Sequence, residues 1–201
     1  MCDDFAGYKA GFEKGMIEIG CMAHARRKFF DLHVANKSQL VEQALHSIGG
    51  LYEVERQARY MSDEDRWRIR QEKAAPLAKI LHDWMLAQRD LVPNGSAMAK
   101  ALDYSLKRWV ALMRYLEDGA VPIDINAVEN QIRPWALGRS NWLFAGSLRS
   151  GKRAAAIMSL IQSARMNGHD PYAYLKYVLT RLPTQRASEI EQLLPHQWTP
   201  A

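Results

Sequence analysis

The chain has 201 residues, of which 48% are hydrophobic and 24% are charged, as is ordinary for a soluble globular protein with a sizeable core. No apolar run approaches the roughly 20 residues that span a bilayer, and the acids Asp3 and Asp4 lie where a signal peptide would be basic. Its two cysteines, Cys2 and Cys21, imply no disulfide framework, so we expect a cytoplasmic protein with no membrane partner.

The net charge of +5 is distributed unevenly along the chain. Residues 31–118 contain 13 acids and 13 bases, whereas residues 133–186 contain nine bases and a single acid, Asp170. A block this basic can neutralise phosphates and release their counterions. It therefore favours nucleic acid as a partner, and a basic surface that only keeps the protein soluble is the alternative.

Apolar residues recur at helical spacing in four long segments, which predicts four amphipathic helices. Their apolar positions are, in chain order, Val41, Ala44, Leu45, Ile48 and Leu51; Leu77, Ile80, Leu81, Trp84 and Met85; Met98, Leu102, Leu106, Trp109, Leu112, Met113 and Leu116; and Ile157, Leu160, Ile161 and Ala164. Ser62 and Ser96 stand where helix caps are expected, and Asp170–Pro171 opens a final short helix through Leu182.

Strand signals are few. Short apolar runs bounded by Gly or Asn occur at Met16–Ile19 and Trp142–Phe144. Strands this few do not make a stable sheet alone, so they pair with strands from elsewhere or lie on the helices. The predicted fold class is therefore mainly α with a small β remnant.

Acidic residues that suit phosphoryl transfer lie in two distant segments, around Asp3 and in residues 124–130, which include Glu129. Two-metal phosphoryl transfer needs carboxylates from separate segments, and magnesium takes oxygen ligands. The sequence permits Asp3 and Glu129 as partners without demanding it. Asn126 and Glu129 also have the spacing of a capping box, and Glu129 and Arg133 that of an ion pair on a helix surface.

Cys21 and His24 have CxxH spacing, but no second pair of ligands lies nearby in the sequence. This arrangement favours packing at a strand–helix junction over a zinc site. The bases Arg26, Arg27 and Lys28 follow directly at a helix start. They either meet phosphate or form an exposed polar face.

The segment from Gly146 to Arg153 has the GxxxxGK frame of a phosphate-binding loop. Arg153, however, occupies the position where Ser or Thr must hold magnesium, and no later strand ends in an acid. Nucleotide binding is therefore disfavoured. Arg149, Lys152 and Arg153 suit contact with a DNA backbone better.

Several of these stretches resemble one protein family. Residues 20–29, GCMAHARRKF, and residues 126–146, NAVENQIRPWALGRSNWLFAG, resemble segments of the insertion-sequence "sixty-six" family of transposases, which are of the DDE class. The resemblance continues through 167–172, NGHDPY, and 193–198, LLPHQW, in the family's order. It covers nearly the whole chain and is weakest in the helical middle, residues 38–118.

The resemblance implies an RNase H-like catalytic core with an Asp-Asp-Glu triad, interrupted by a helical insertion. Asp3 matches the second aspartate and Glu129 the glutamate. The first aspartate belongs upstream of Asp3, so we expect an incomplete core. The implied domains are a core remnant at 1–30, the helical insertion at 31–118, the catalytic glutamate helix and basic loop at 119–168, and a C-terminal helix and tail at 169–201.

The resemblance also implies DNA transposition, with Mg²⁺-dependent strand cleavage and strand transfer at insertion-sequence ends. In an intact enzyme two Mg²⁺ ions would be held by Asp3, Glu129 and the upstream aspartate, so this chain alone is expected to be inactive. Element-end and target DNA are the implied partners, and a homodimer and accessory proteins of the same element are further candidates. The residues expected to bind DNA are Arg26, Arg27, Lys28, Arg133, Arg139, Arg149, Lys152 and Arg153.

A second hypothesis needs no chemistry. The chain would then be a helical DNA-binding or transposase-interacting fragment, which accounts for the basic block without using the acids. Substitution of Asp3 and Glu129 in a full-length context separates the two hypotheses, because only the catalytic one requires their carboxylates.

Overall fold

The computed structural model of the chain describes residues 9–12, 14–142 and 145–199, and within these ranges the protein is mainly helical, as predicted. The helices are α1 (Lys9–Phe12), α2 (Met22–Asn36), α3 (Gln39–Gln57), α4 (Asp63–Ile69), α5 (Ala75–Leu91), α6 (Ala97–Lys107), α7 (Trp109–Met113), α8 (Asn126–Trp142), α9 (Leu148–Met166) and α10 (Pro171–Arg181). A π-helical turn, Arg70–Ala74, joins α4 to α5, and short 3-10 turns lie at Arg114–Leu116, Leu182–Thr184 and Ala187–Leu193. None of the described helices is both long and apolar enough to span a bilayer.

The predicted strands are wrong where the structure describes them. Residues 16–19 have no regular secondary structure, and the nearest β feature is an isolated bridge at Gly20, whose N–H donates to the Ala111 carbonyl at 2.8 Å. Trp142 is the last residue of α8, and residues 143–144 lie outside the described part. A strand needs a neighbouring strand to satisfy its backbone, and the described residues offer these segments none. The RNase H-like core therefore stays a prediction.

The chain divides into two compact units, Met1–Ala127 and Val128–Ala201. The domain limits predicted at residues 30, 118 and 168 stay predictions. Within the second unit, α9 packs against α10.

Four helices form the core of the first unit. α2 packs against α3 and α6, and α5 packs against the same two helices. The side chains at their centre that are withdrawn from water include Phe29, Ile48, Leu51, Leu81 and Leu102. Burial of such aliphatic and aromatic side chains supplies the main driving force for folding of this unit.

The predicted apolar face is confirmed for α3 and partly wrong for α5. The buried residues of α3 include Val41, Ala44, Ile48 and Leu51. On α5, Leu81 and Met85 are buried as predicted, but Leu77 and Ile80 are 38% and 65% exposed, and Ala78 is buried instead. The small side chain of Ala78 allows close packing of helices, which shifts the buried stripe of α5 away from its larger residues.

The predicted helix starts are confirmed by their hydrogen bonds. Ser62 Oγ accepts from the Asp65 N–H and Ser96 Oγ accepts from the Ala99 N–H, both at 3.1 Å. Asp170 caps α10 in the same way, and Pro171 is its first residue. Each cap satisfies an amide that the helix itself leaves without an acceptor.

A buried arginine in the π-helical turn ties the first unit together. Arg70 is 1% exposed, and its Nε and Nη2 atoms donate to the two carboxylate oxygens of Glu55 at 2.8 and 2.7 Å. Its Nη1 atom donates to the carbonyl oxygens of Tyr115 and Asp118 at 2.7 and 2.8 Å. Because a guanidinium this far from water must be paired and hydrogen-bonded, it holds α3 and the 115–118 segment at one point.

Two neighbouring side chains extend this contact. Gln71 Nε2 donates to the Leu116 carbonyl at 2.6 Å, and Arg66 Nη1 donates to the Gly119 carbonyl at 2.8 Å. Gly119 lies directly on α4, since a Cβ atom there would stand 1.8 Å from the Asp63 carbonyl oxygen. These contacts fix the end of the segment that leads towards α8.

The second unit has a small core of its own. Ala164 of α9 and Tyr174 of α10 are fully buried, and the Tyr174 hydroxyl donates to the Leu193 carbonyl at 2.7 Å. Trp198 packs edge-on against the His169 ring, with centroids 4.9 Å apart. The C-terminal motif quoted above therefore serves to cover α9 and α10.

Replacing Arg70 with methionine should lower the free energy of unfolding by about 3–5 kcal/mol, because Glu55 keeps its charge without a partner and two carbonyls lose their donor. Urea denaturation followed by circular dichroism measures this change. Arg68→Met is the matched control, because Arg68 is 62% exposed and pairs with Glu64 on the helix surface, an interaction worth less than about 1 kcal/mol. Equal losses in the two variants would contradict the structural role given to Arg70.

Candidate functional site

Of the two predicted catalytic acids, Asp3 and Glu129, the structure describes only Glu129. Asp3 lies outside the described residues. Glu129 lies in the first turn of α8, and it is exposed. An exposed carboxylate is a suitable ligand for a hard ion such as magnesium, but one carboxylate does not make a site. Among the described residues, no three His, Cys, Asp or Glu side chains come together in a way that would hold a metal ion.

The start of α8 is organised by Asp124. Its Oδ1 atom accepts from the Asn126 backbone N–H at 3.0 Å, and its Oδ2 atom accepts from the Asn126 side-chain amide at 2.8 Å. Asn126 is thus the first residue of the helix and its side chain turns back to Asp124. The Asp124 carboxylate thus organises the turn into α8, and the capping box of Asn126 and Glu129 stays a prediction.

Cys21 packs against the same turn. Its side chain is 1% exposed, and its Sγ atom accepts from the Ile125 N–H at 3.4 Å. The adjacent Met22 N–H donates to the Ile123 carbonyl at 3.1 Å. Burial raises the pKa of the Cys21 thiol, which keeps it neutral and suited to packing. The CxxH segment therefore lies against the residues that precede α8.

A tyrosine that the sequence analysis did not single out also reaches this turn. The Tyr52 hydroxyl, on α3, donates to Asp124 Oδ2 at 2.8 Å. Burial, and after it the charge of Asp124, raise the pKa of Tyr52, so it stays a hydrogen-bond donor. Tyr52 directly follows Leu51 of the apolar stripe of α3, and nothing local in the sequence indicates a partner 72 residues away.

The predicted DNA-binding bases of α2 are accessible to different degrees. Arg27 and Lys28 are exposed, and Arg26 is half-buried. The Arg26 guanidinium lies 5.6 Å from the centre of the Phe30 ring, and the Lys28 ammonium lies 5.4 Å from that of Tyr104. Both contacts leave the charge at the surface, where it can still meet an anion.

The other predicted bases lie in the second unit. Arg133 and Arg139 are exposed on α8, and Arg149, Lys152 and Arg153 are exposed on the first two turns of α9. Ser147 Oγ caps α9 by accepting from the Ser150 N–H, and the first turn contains no acid. The helix dipole adds to these charges, so the beginning of α9 suits a phosphate.

The GxxxxGK frame does not form a phosphate-wrapping loop. α9 begins at Leu148, so Arg149, Lys152 and Arg153 are all helical and only Ala145 to Ser147 precede the helix as described loop. A nucleotide-binding loop places its lysine at the end of a wrapped backbone, and a helix cannot adopt that geometry. The structure therefore agrees with the sequence in disfavouring nucleotide binding here.

α8 and α9 meet at an apolar groove of about 330 Å³. Ile132 and Trp135 line it from α8, and Met158 and Met166 line it from α9. The groove is lined by residues 131–135 of α8 and 155–166 of α9, so it includes neither Glu129 nor the basic first turns of α9. Within the second unit, the glutamate and the bases are mounted on one pair of helices.

Two models of protein families match this chain. A family model described as Transposase IS66 family matches residues 1–153, and one described as IS66 C-terminal element matches residues 159–196. The two matches cover nearly the whole chain. The protein is therefore a transposase-family protein, and it belongs to the IS66 family, which confirms the resemblance to the "sixty-six" family.

Three similar curated proteins come from Sinorhizobium fredii. Uncharacterized protein y4hP is 38% identical over 190 residues, which are 89% of this chain and 34% of y4hP. Uncharacterized protein y4qI is 38% identical over 193 residues, which are 96% of this chain and 36% of y4qI. Uncharacterized protein y4jD is 37% identical over 180 residues, which are 89% of this chain and 35% of y4jD. The chain thus spans about a third of the length of these relatives. No solved structure matches the chain.

The burial of Cys21 predicts a thiol that does not react in the folded chain. In a Cys2→Ser variant, where Cys21 is the only cysteine, alkylation by iodoacetamide should be at least about ten-fold slower in buffer than in concentrated urea. The reaction requires local opening, and the raised pKa lowers the thiolate fraction further. Mass spectrometry measures the rate. Stoichiometric protection by added Zn²⁺ would contradict the packing role and favour a metal site.

Proposed function

We propose that this chain is the part of a DDE-class transposase that carries two of the three catalytic acids, Asp3 and Glu129, and that it acts in DNA transposition. Membership of the IS66 transposase family over nearly the whole chain is the observation that carries this proposal. The exposed position of Glu129 in the first turn of α8 supports it, because a ligand of a shared ion must be accessible from outside its own helix.

Asp3 and Glu129 would hold Mg²⁺ together with the first aspartate that the family resemblance places upstream, within an RNase H-like core. Bound Mg²⁺ supplies electrostatic stabilisation of the attacking and leaving oxygens when a DNA strand is cut or joined. The chain itself contributes the two carboxylates and the helix that presents one of them. Arg133 stands one turn further along α8, where it can orient the carboxylate of Glu129 or reach a phosphate.

DNA would lie along the basic side of the second unit. Arg149, Lys152 and Arg153 are exposed at the capped start of α9, and α9 shares an apolar groove with α8. Phosphate contacts of this kind position a duplex without reading its sequence. The bases would therefore hold a duplex on the second unit, and they serve equally in a protein that binds DNA without cutting it.

The catalytic proposal is tested in a full-length transposase that contains this sequence. Asp3→Asn and Glu129→Gln should each lower the rate of strand transfer more than about a hundred-fold, because changes in residues that merely support a metal ligand already cost up to that much. Glu191→Gln removes an exposed carboxylate from the unit that also contains Glu129, and it should leave the rate of strand transfer unchanged. Wild-type rates in both acid variants would contradict the catalytic proposal and favour the hypothesis of a DNA-binding protein without catalytic activity.

The DNA-binding proposal is tested with the chain itself. A triple Gln substitution of Arg149, Lys152 and Arg153 should reduce the slope of log affinity against log salt by roughly 2–3, since each lost phosphate contact contributes about 0.9. Fluorescence anisotropy with a labelled duplex at several salt concentrations measures it.

The matched control removes the same charge from exposed bases elsewhere in the second unit, with Gln at Lys176, Arg181 and Arg186. It should leave the salt slope nearly unchanged. Equal effects in the two triple variants would show that net charge alone governs binding, and would contradict a site at the start of α9.

A further inference from the structure

The hydroxyl of Tyr52 makes a long-range contact that packing of the helices does not require. Tyr52 lies on α3, and its ring borders the core of the first unit. A phenylalanine ring would fill the same space. The hydroxyl adds one feature, which is the 2.8 Å hydrogen bond to Asp124 Oδ2.

Asp124 receives that bond at the point where the chain turns into α8. The same carboxylate accepts from the backbone N–H and from the side-chain amide of Asn126, the first residue of the helix. Cys21 holds the intervening residue through the Ile125 N–H. Three donors thus surround the Asp124 carboxylate, and both of its oxygens accept hydrogen bonds. These bonds fix the orientation of the carboxylate.

We propose that Tyr52 is a positioning residue for the transposition reaction, which acts through Asp124 on how the first turn of α8 is held. The inference rests on the proposed function of Glu129. Glu129 follows Asn126 by three residues in a continuous helix, so a change in how the first residue is held is carried to the glutamate by the hydrogen-bonded backbone.

The size of the effect follows from the charged acceptor. Loss of a hydrogen bond to a carboxylate shifts a local equilibrium by roughly ten- to a hundred-fold. Misplacement of a reacting group by a fraction of a turn has rate effects in the same range. Tyr52→Phe keeps the ring and removes only the donor, so the shift should be confined to the start of α8.

The first experiment measures hydrogen–deuterium exchange in the purified chain. In Tyr52→Phe, amides of the peptide that spans residues 123–130 should exchange about ten-fold faster than in the wild type, while the melting temperature falls by only a few degrees. Tyr60→Phe is the matched control, because Tyr60 is 91% exposed and its ring contact with Arg59 is retained by phenylalanine. Unchanged exchange in Tyr52→Phe would overturn the proposal without any bearing on catalysis.

The second experiment uses the full-length transposase at saturating DNA in single-turnover conditions. Tyr52→Phe should lower the strand-transfer rate about ten-fold while the Kd for element-end DNA stays the same, a split that general destabilisation would not produce. Asp124→Ala should lower the rate at least as much, and the double variant should lose no more than Asp124→Ala alone. Additive losses would show that Tyr52 does not act through Asp124 and would overturn the inference.

The two proposals fail in distinguishable ways. An active Glu129→Gln enzyme would remove the proposed function, and the positioning role in catalysis with it, whereas the exchange result would still report whether Tyr52 holds the start of α8. An inactive Glu129→Gln enzyme combined with a fully active Tyr52→Phe enzyme would overturn only the positioning role.

Discussion

The buried ion pair between Arg70 and Glu55 is the constraint on which the first unit depends. Removal of a guanidinium from water is so unfavourable that every strong acceptor around it must be held in place, and here these acceptors come from α3 and from the 115–118 segment. The π-helical turn presents Arg70 at that junction, and a π-turn inside a helix commonly marks a position with a special task. Arg70 thereby binds α3 and the 115–118 segment, which are distant from each other in sequence.

From that centre, a series of polar contacts leads to the start of α8. Gln71 and Arg66 hold the backbone through residue 119, Cys21 and Met22 hold residues 123–125, and Tyr52 orients Asp124. Most of these bonds join a side chain to a backbone carbonyl or amide, so they specify the path of a segment that has little regular structure of its own. Contacts from α3 and from the Cys21–Met22 segment thereby fix the residues at which α8 begins.

Charge is divided between the units in a way that suits the proposed roles. The helical middle has equal numbers of acids and bases, several of them paired on its surface, whereas the exposed bases of α8 and α9 stand in a block with almost no acids. A surface with balanced charge neither repels nor attracts a charged partner strongly over long range, whereas a basic block favours a polyanion as partner. The proposed DNA-binding role therefore falls on the exposed bases of the second unit.

Local sequence determined the family, most of the long helices and the first residues of α4, α6 and α10, because motifs, 3.6-residue periodicity and caps such as Ser62, Ser96 and Asp170 act over a few neighbouring positions. Tertiary packing decided the rest. It left Met16–Ile19 without a partner strand among the described residues, turned α5 so that Ala78 is buried in place of Ile80, and made Asp124 the hydrogen-bond acceptor at the turn into α8. It also paired Arg70 with Glu55 and Tyr52 with Asp124, since a polar side chain that must be satisfied takes whichever acceptor the folded chain brings to it, however distant in sequence.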